Sequence, residues 1–408
     1  PCASFLVGGE ATMTDVEKTI QTILQGAHEV VPIEALKQKV ERAAKKGRPL
    51  RIKVGIDPTS PNVHIGHLVP YGKMRQLQDL GHTGVVIIGD YTARIGDPSG
   101  RDSTRQALTA EQVRINGEKY MQQLYTVLDP ARTEVRYQTE WYDNFALADT
   151  LRLMQEVTVA QMLQHDTFRT RYEQGLPLGM HELCYPLLQG YDSVMCEADI
   201  EMGDPAQKFN ILVGRDLMER RGMEAQIALL VPVLLGIDGV EKMSKSLGND
   251  IGVLAPPEEQ YGRTMSIPDA ILENWHRMVL ALSDDEMKPV RASIKENPYE
   301  AKKALAKRIV ARFHGAAAAD AAEEDFRKKF SERTLELENI PEAALASFDP
   351  PTSTNIIATY FEMSRTDVRR LVQQGSVKLD GEKVENAEAP LATGGVLKVG
   401  KKKWLRLI

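Results

Sequence analysis

Leu50-Arg51-Ile52-Lys53-Val54-Gly55-Ile56-Asp57-Pro58-Thr59-Ser60-Pro61 reads as a strand that runs into a proline-rich turn. A helical pattern follows from about His64 to Leu80, closed by Gly81. Next comes Val85-Val86-Ile87-Ile88-Gly89-Asp90, a short apolar run of the kind found in strands buried on both faces. Strand, helix and strand at this spacing form a βαβ unit, which predicts a parallel sheet and an α/β fold.

Working outward, residues 15–47 show helical spacing and end in a clear stop at Lys45-Lys46-Gly47-Arg48-Pro49. Residues 110–180 are largely helical in pattern and are expected to be an insertion between two halves of the sheet. The run Ile227 to Leu235 restores the buried-strand signature. Pro256-Pro257-Glu258-Glu259 opens a helical region reaching about residue 335, and Asp349-Pro350-Pro351-Thr352-Ser353-Thr354 has the composition of a linker. The expected division is an α/β domain at 13–255, a helical domain at 256–345, a linker at 346–354 and a small α+β domain at 355–408. In that last domain Ile356, Ile357, Tyr360 and Phe361 make one helix face. Ser364 caps a second helix stopped by Gly375, and Val377 to Gly381 reads as strand into hairpin.

With 408 residues, 42% apolar and 26% charged, the chain has room for two or three soluble domains. No apolar run approaches the ~20 residues of a membrane span. Residues 1–12 read as an extension or cloning remnant ahead of Met13 and not as a secretory signal. Cys2, Cys184 and Cys196 have no metal-like spacing, and three thiols suit a reducing, cytoplasmic setting. The net charge of −6 is uneven. Residues 355–408 carry ten Lys or Arg against six Asp or Glu, so the tail is +4 and the rest −10. A basic tail on an acidic body suits a polyanion met at one end, although surface solvation alone can produce such asymmetry.

Two segments carry chemistry. His64 and His67 flank Gly66 at an expected helix start, where unpaired N–H groups and partial positive charge favour phosphate and a missing side chain admits a nucleotide. Far along the chain, Lys242-Met243-Ser244-Lys245-Ser246 places two ammonium groups on a polar loop before Gly248. In-line attack at an α-phosphate needs spreading negative charge to be stabilised, and these groups supply that. Together the segments resemble the two signatures of class I aminoacyl-tRNA synthetases.

Beyond them, Val54-Gly55-Ile56-Asp57-Pro58-Thr59, Ile95-Gly96-Asp97-Pro98-Ser99-Gly100-Arg101 and Tyr185-Pro186-Leu187-Leu188-Gln189-Gly190-Tyr191-Asp192 resemble motifs of the bacterial tyrosyl-tRNA synthetases, a likeness running from Met13 onward. On a helix, residues 185, 189 and 192 share a face. The resemblance implies a Rossmann-type catalytic domain, a helical anticodon-recognition domain and a C-terminal RNA-binding domain. It implies a tyrosine–tRNA ligase that uses ATP with Mg²⁺ as substrate complex, with no tightly bound cofactor and no protein-held metal. A homodimer, tRNA(Tyr) as partner and no membrane association follow from it too.

By similarity, Asp97, Tyr185 and Gln189 bind the substrate ammonium with Thr92 nearby, Asp192 accepts the phenol O–H, and Gln207 meets the α-carboxylate. Gly55, Asp57, Thr59, His64, Gly66 and His67 serve ATP, while Lys242 and Lys245 draw charge from pyrophosphate. Arg365, Arg369, Arg370 and Lys378 face RNA. Two positions depart from the family pattern. Lys53 stands where many members have Tyr, and Gly203-Asp204-Pro205-Ala206-Gln207 replaces Gly-Gly-Thr-Asp-Gln, removing the expected ribose carboxylate. The second departure leaves two further readings open: an enzyme for another amino acid, or an RNA-binding descendant without catalysis.

Overall fold

The computed structural model describes residues 13–96, 108–331, 340–391, 393–400 and 403–408. The described chain divides after Phe326 into two compact units. The first is built on six strands: β1 (Glu29–Val31), β2 (Arg51–Ile56), β3 (Thr83–Ile88), β4 (Thr133–Tyr137), β5 (Ile200–Gly203) and β6 (Ile227–Leu230). Their order is β1-β6-β5-β2-β3-β4. All neighbours are parallel except β1, which runs antiparallel to β6. Residues 85–88 are buried throughout, as an all-apolar strand covered on both faces requires.

Four expectations need refinement. The 15–47 region is not helical throughout: α1 (Met13–Leu24) and α2 (Ile33–Lys45) are separated by β1, whose three residues are too few to give a periodic signal. The strand at 227 stops at Leu230 rather than running to 235, because Pro232 has no N–H for the ladder; Val231 donates the last bond, 2.9 Å to the Gly203 carbonyl. The segment 110–180 also contributes an edge strand, β4, between α4 (Ala110–Leu124) and the short helices α5 (Thr139–Tyr142), α6 (Leu147–Met154), α7 (Val159–Met162) and α8 (Asp166–Glu173).

The helix expected from His64 begins as a single 3₁₀ turn, Ile65–His67, and becomes α3 only at Leu68–Asp79. His64 is extended and bridges Gly252, while Ile65 donates to the Ile251 carbonyl and Val253 to the Val63 carbonyl, each at 2.9 Å. The histidine turn is thereby stitched to the chain that leaves the lysine loop.

After β4 the chain returns through α9 (Met180–Met195) to β5 beside β2, then through α10 (Lys208–Arg220) to β6. Strand order therefore reverses between β2 and β5, and open α/β sheets bind ligands beyond the carboxyl ends of strands at such a point. Helices α9 and α10 cross closely because Gly190 faces Gly214. A Cβ on Gly190 would sit 2.9 Å from the Gly214 nitrogen. The helices α11 (Pro257–Met265), α12 (Leu272–Leu280), α13 (Asp284–Glu296), α14 (Pro298–His314) and α15 (Ala316–Phe326) complete this unit. Trp275, Leu305 and Ile309 belong to the same buried cluster as β2 and α3.

The second unit has α16 (Ser353–Tyr360), α17 (Arg365–Gln373) and a sheet ordered β7-β11-β10-β8-β9 from β7 (Glu342–Ala343), β8 (Val377–Leu379), β9 (Glu382–Lys383), β10 (Gly395–Val399) and β11 (Lys403–Leu407). Ser364 caps α17 through the Asp367 N–H at 3.1 Å. The β8–β9 hairpin turns through Asp380 and Gly381, both at positive φ, the geometry a two-residue turn demands. Ile356, Ile357, Val368, Val372 and Leu405 form a core of its own, whereas Tyr360 is 37% exposed.

Candidate active site

A cleft of about 270 Å³ opens at the switch point, lined by the carboxyl ends of β2 and β5, the histidine turn, α9 and the start of the lysine loop. At one end α9 presents Tyr185, Gln189 and Asp192 to the cleft. Asp192 is buried and accepts from Gln138 Nε2 at 2.7 Å and Trp141 Nε1 at 3.2 Å. These donors are what a carboxylate in an apolar helix requires. Burial pushes its pKa up to about 7 against the pull of Lys53 and the Gln138 bond.

Asp57, at the end of β2, joins the two halves. One carboxylate oxygen lies 2.7 Å from Thr92 Oγ1 and the other accepts from the Tyr185 hydroxyl at 2.8 Å. Only glycine fits beside it: a Cβ at Gly89 would lie 2.0 Å from Asp57 Oδ1 and 2.5 Å from Thr92 Oγ1. Gln189 is held from both sides. Its amide donates to Glu201 at 3.2 Å and its carbonyl accepts from Asn210 at 3.0 Å, while Asn210 also reaches Gln207 Oε1 at 3.2 Å.

At the other end the rings of His64 and His67 stack with centroids 3.5 Å apart, and His67 Nδ1 accepts from the His64 N–H at 3.3 Å. Burial lowers both imidazole pKa values, that of His64 to about 4, with Lys245 and Lys242 adding to the effect. The two imidazoles are therefore neutral near pH 7. A neutral imidazole offers a ring N–H rather than a charge, so the positive charge at this end of the cleft sits on the lysines.

Lys242 lines the cleft and pairs with Asp204 at 2.6 Å. Lys245 reaches across to Ser60 Oγ at 3.2 Å and to the Asn62 carbonyl, so both lysines stand beside the histidine turn. In the departing segment, Asp204 also caps the Ala206 N–H at 3.0 Å, and its carboxylate faces the cleft.

Of the residues expected from sequence, Gly55, Asp57, His64, Gly66, His67, Thr92, Tyr185, Gln189, Asp192, Gln207 and Lys242 all line this cleft. Thr59 stands just outside the lining, its N–H donating to the Asp57 carbonyl at 2.7 Å, and Lys245 flanks it. Asp97 lies outside the described residues. Sequence reasoning did not single out Gln138, Trp141, Asn210 or Glu201. Each acts through a partner distant in the chain and carries no local motif.

Arg365, Arg369, Arg370 and Lys378 belong to the second unit. Arg369 pairs with Glu388 at 2.7 Å and Arg370 with Asp367 at 2.9 Å. Lys378 sits opposite Lys383 on β9 and Lys398 on β10, and Lys398 in turn faces Trp404, with its ammonium 4.9 Å from the ring centroid. Among the described residues no group of three or more His, Cys, Asp or Glu side chains is arranged to hold a metal ion.

A mostly parallel sheet with its cleft at the switch point, stacked histidines and a lysine loop beside that cleft form the arrangement expected of class I synthetases, enzymes that activate an amino acid with a nucleotide. Residues 45–331 match the family model described as tRNA synthetases class I (W and Y), and the chain belongs to that family. It is 43% identical over 399 residues to the tyrosine–tRNA ligase of Oleidesulfovibrio alaskensis, covering 97% of this chain and 99% of that one. It is 41% identical over 398 residues to the Moorella thermoacetica tyrosine–tRNA ligase, covering 96% of each. The C-terminally truncated mitochondrial tyrosyl-tRNA synthetase of Aspergillus nidulans shares the fold at a TM-score of 0.63 and 22% identity, over 78% of this chain and 94% of that one.

Proposed function

We propose that this chain is a tyrosine–tRNA ligase. Tyrosine enters with its ring along α9, its phenol O–H donating to Asp192 and its ammonium received by Gln189 and Tyr185. One tyrosine carboxylate oxygen attacks the α-phosphorus of ATP, the bond to the β-phosphate oxygen breaks, and pyrophosphate leaves with the electron pair. Mg²⁺ enters with ATP as part of the substrate complex. The imidazole N–H groups of His64 and His67 bond the phosphate, Lys242 and Lys245 take the charge of the departing pyrophosphate, and Asp204 stands on the ribose side in place of the carboxylate that Ala206 lacks. A ribose hydroxyl at the tRNA 3′ end then attacks the tyrosyl carbonyl and AMP departs.

The observation carrying this reading is a buried acceptor, Asp192, sharing one cleft with the histidine pair and Lys242. Phenylalanine brings no phenol donor, so Asp192 would keep only its bonds from within the protein and forfeit the one tyrosine supplies, which favours tyrosine. ATP–pyrophosphate exchange with a panel of amino acids tests it. Tyrosine-dependent exchange is expected; exchange with a different amino acid, or silence alongside retained tRNA binding, overturns it.

The remaining assignments follow the same reading. The helices at 257–326 take the anticodon end, and the second unit binds RNA. The Lys383–Lys378–Lys398 row supports RNA binding, since like charges directly opposite one another cost stability unless an anion lies across them. A homodimer is supported by exposed apolar side chains in the 147–180 region, with Leu147 at 75% and Met180 at 65%. Among the described residues no helix is long and apolar enough to cross a membrane.

A further inference from the structure

Lys53 lies in β2 directly opposite Glu201 on β5, and their side chains are 0% and 1% exposed. Its ammonium has three protons and three acceptors: Glu201 Oε1 at 2.9 Å, Ser193 Oγ at 2.7 Å and the Gln189 carbonyl at 2.9 Å. The two α9 acceptors are one helical turn apart. The second Glu201 oxygen accepts from Ser193 Oγ at 2.8 Å and from Gln226 Nε2 at 2.5 Å, and the first also takes the Gln189 side chain at 3.2 Å. A fully buried charge pair brings little stability, since apolar replacements of both partners often do as well. What this pair does provide is position, because it ties α9 to two strands at the turn that carries Gln189 and Asp192.

We propose that Lys53 is a positioning residue for amino-acid selection: clamped by Glu201, Ser193 and the Gln189 carbonyl, it locks the register of α9 so that Gln189 and Asp192 meet the substrate ammonium and phenol together. Its charge also acts on the phenol end of the cleft. The groups surrounding Asp192 are Lys53 from β2, Glu201 from β5, Tyr142, Trp141 and Gln138 from the α5 segment, and Cys196 at the end of α9. Lys53 is the cation of that set and opposes the burial that drives the Asp192 carboxylate toward its protonated form. This inference rests on the tyrosine pocket proposed above.

The test compares Lys53→Met with Lys53→Met/Glu201→Gln. The single change strands a buried carboxylate and destabilises the protein, whereas the double change removes both charges and is expected to fold. In the double variant KM for tyrosine should rise about tenfold or more and the tyrosine-to-phenylalanine ratio of kcat/KM should fall about tenfold, while kcat and KM for ATP stay within about threefold. Ser193→Ala, which removes one acceptor without exposing a charge, should shift the same two quantities in the same direction by a smaller factor.

A merely structural pair would lower the melting temperature and leave the ratio alone. A ratio within about twofold of the parent in every variant that folds overturns the proposal. Asp192→Ala runs in parallel. If it erodes the ratio and the Lys53 variants do not, this inference fails alone; if neither does, the pocket reading has failed.

Discussion

At the scale of single residues, the site separates groups that carry charge from groups that only donate or accept. In the proposed reading Asp192 is the discriminator. Tyrosyl-tRNA synthetases reject phenylalanine by about 10⁵ without editing, a magnitude taken from that class of enzyme and not calculated from this geometry. Asp192→Ala is expected to erode the tyrosine-to-phenylalanine ratio of kcat/KM by several orders of magnitude, read by pyrophosphate exchange with each amino acid. Burial raises the Asp192 pKa to about 7, so between the ordinary carboxylate range and pH 7 the folded protein holds a proton that the unfolded chain has released. That contribution favours folding at low pH and is lost as pH rises through the folded pKa. Asp192→Asn, which does not titrate, should therefore gain stability relative to the parent as pH rises from about 4 to 7, measured by denaturant unfolding at each pH. A difference that stays flat over this range would rule out the buried, raised carboxylate.

At the scale of elements, function depends on pieces remote in sequence being stitched side by side. Residues 63–65 bond residues 251–253, so the histidine turn and the lysine loop are neighbours before any nucleotide arrives. Lys245→Ala should cut the rate of adenylate formation by about 10²-fold while the tyrosine dissociation constant stays put, since its ammonium acts on charge that develops only during the reaction. Pre-steady-state adenylate formation and equilibrium tyrosine binding, measured separately, check this; a collapse of tyrosine affinity with an intact rate would refute it. The α9–α10 crossing sets where Gln189 and Asp192 stand. Gly190→Ala forces a methyl group against the Gly214 backbone and should cost about 1–3 kcal/mol, visible as a lowered melting temperature.

At the scale of the whole molecule, the cleft proposed for adenylate chemistry lies within the first unit and the basic row within the second. Removing residues 327–408 should leave pyrophosphate exchange within about threefold while raising KM for tRNA severely and flattening the salt dependence of charging. A cut at residue 352 is the poorer experiment, because β7 pairs with β11 and Phe348 belongs to the second unit's core. Charging that survives the longer deletion at full efficiency would deny the second unit a part in RNA binding.

Local pattern was enough to read the βαβ unit, to single out the histidine turn and the lysine loop, and to find the helix face bearing Tyr185, Gln189 and Asp192, because strand and helix periodicities and turn residues act over a few neighbours. It could not reach β1, whose three residues gain strand character only by pairing with β6, nor the neutrality of the histidines, which follows from burial by the whole fold. Nor could it find Gln138 beside Asp192 or Glu201 beside Lys53. Those pairs are separated by 54 and 148 positions, and only the folded sheet decides that they meet. Sequence alone thus determined the class of chemistry, because residue types set what a group can donate, accept or neutralise. Tertiary structure decided which groups are charged and which partner holds them, because desolvation and distance belong to the fold.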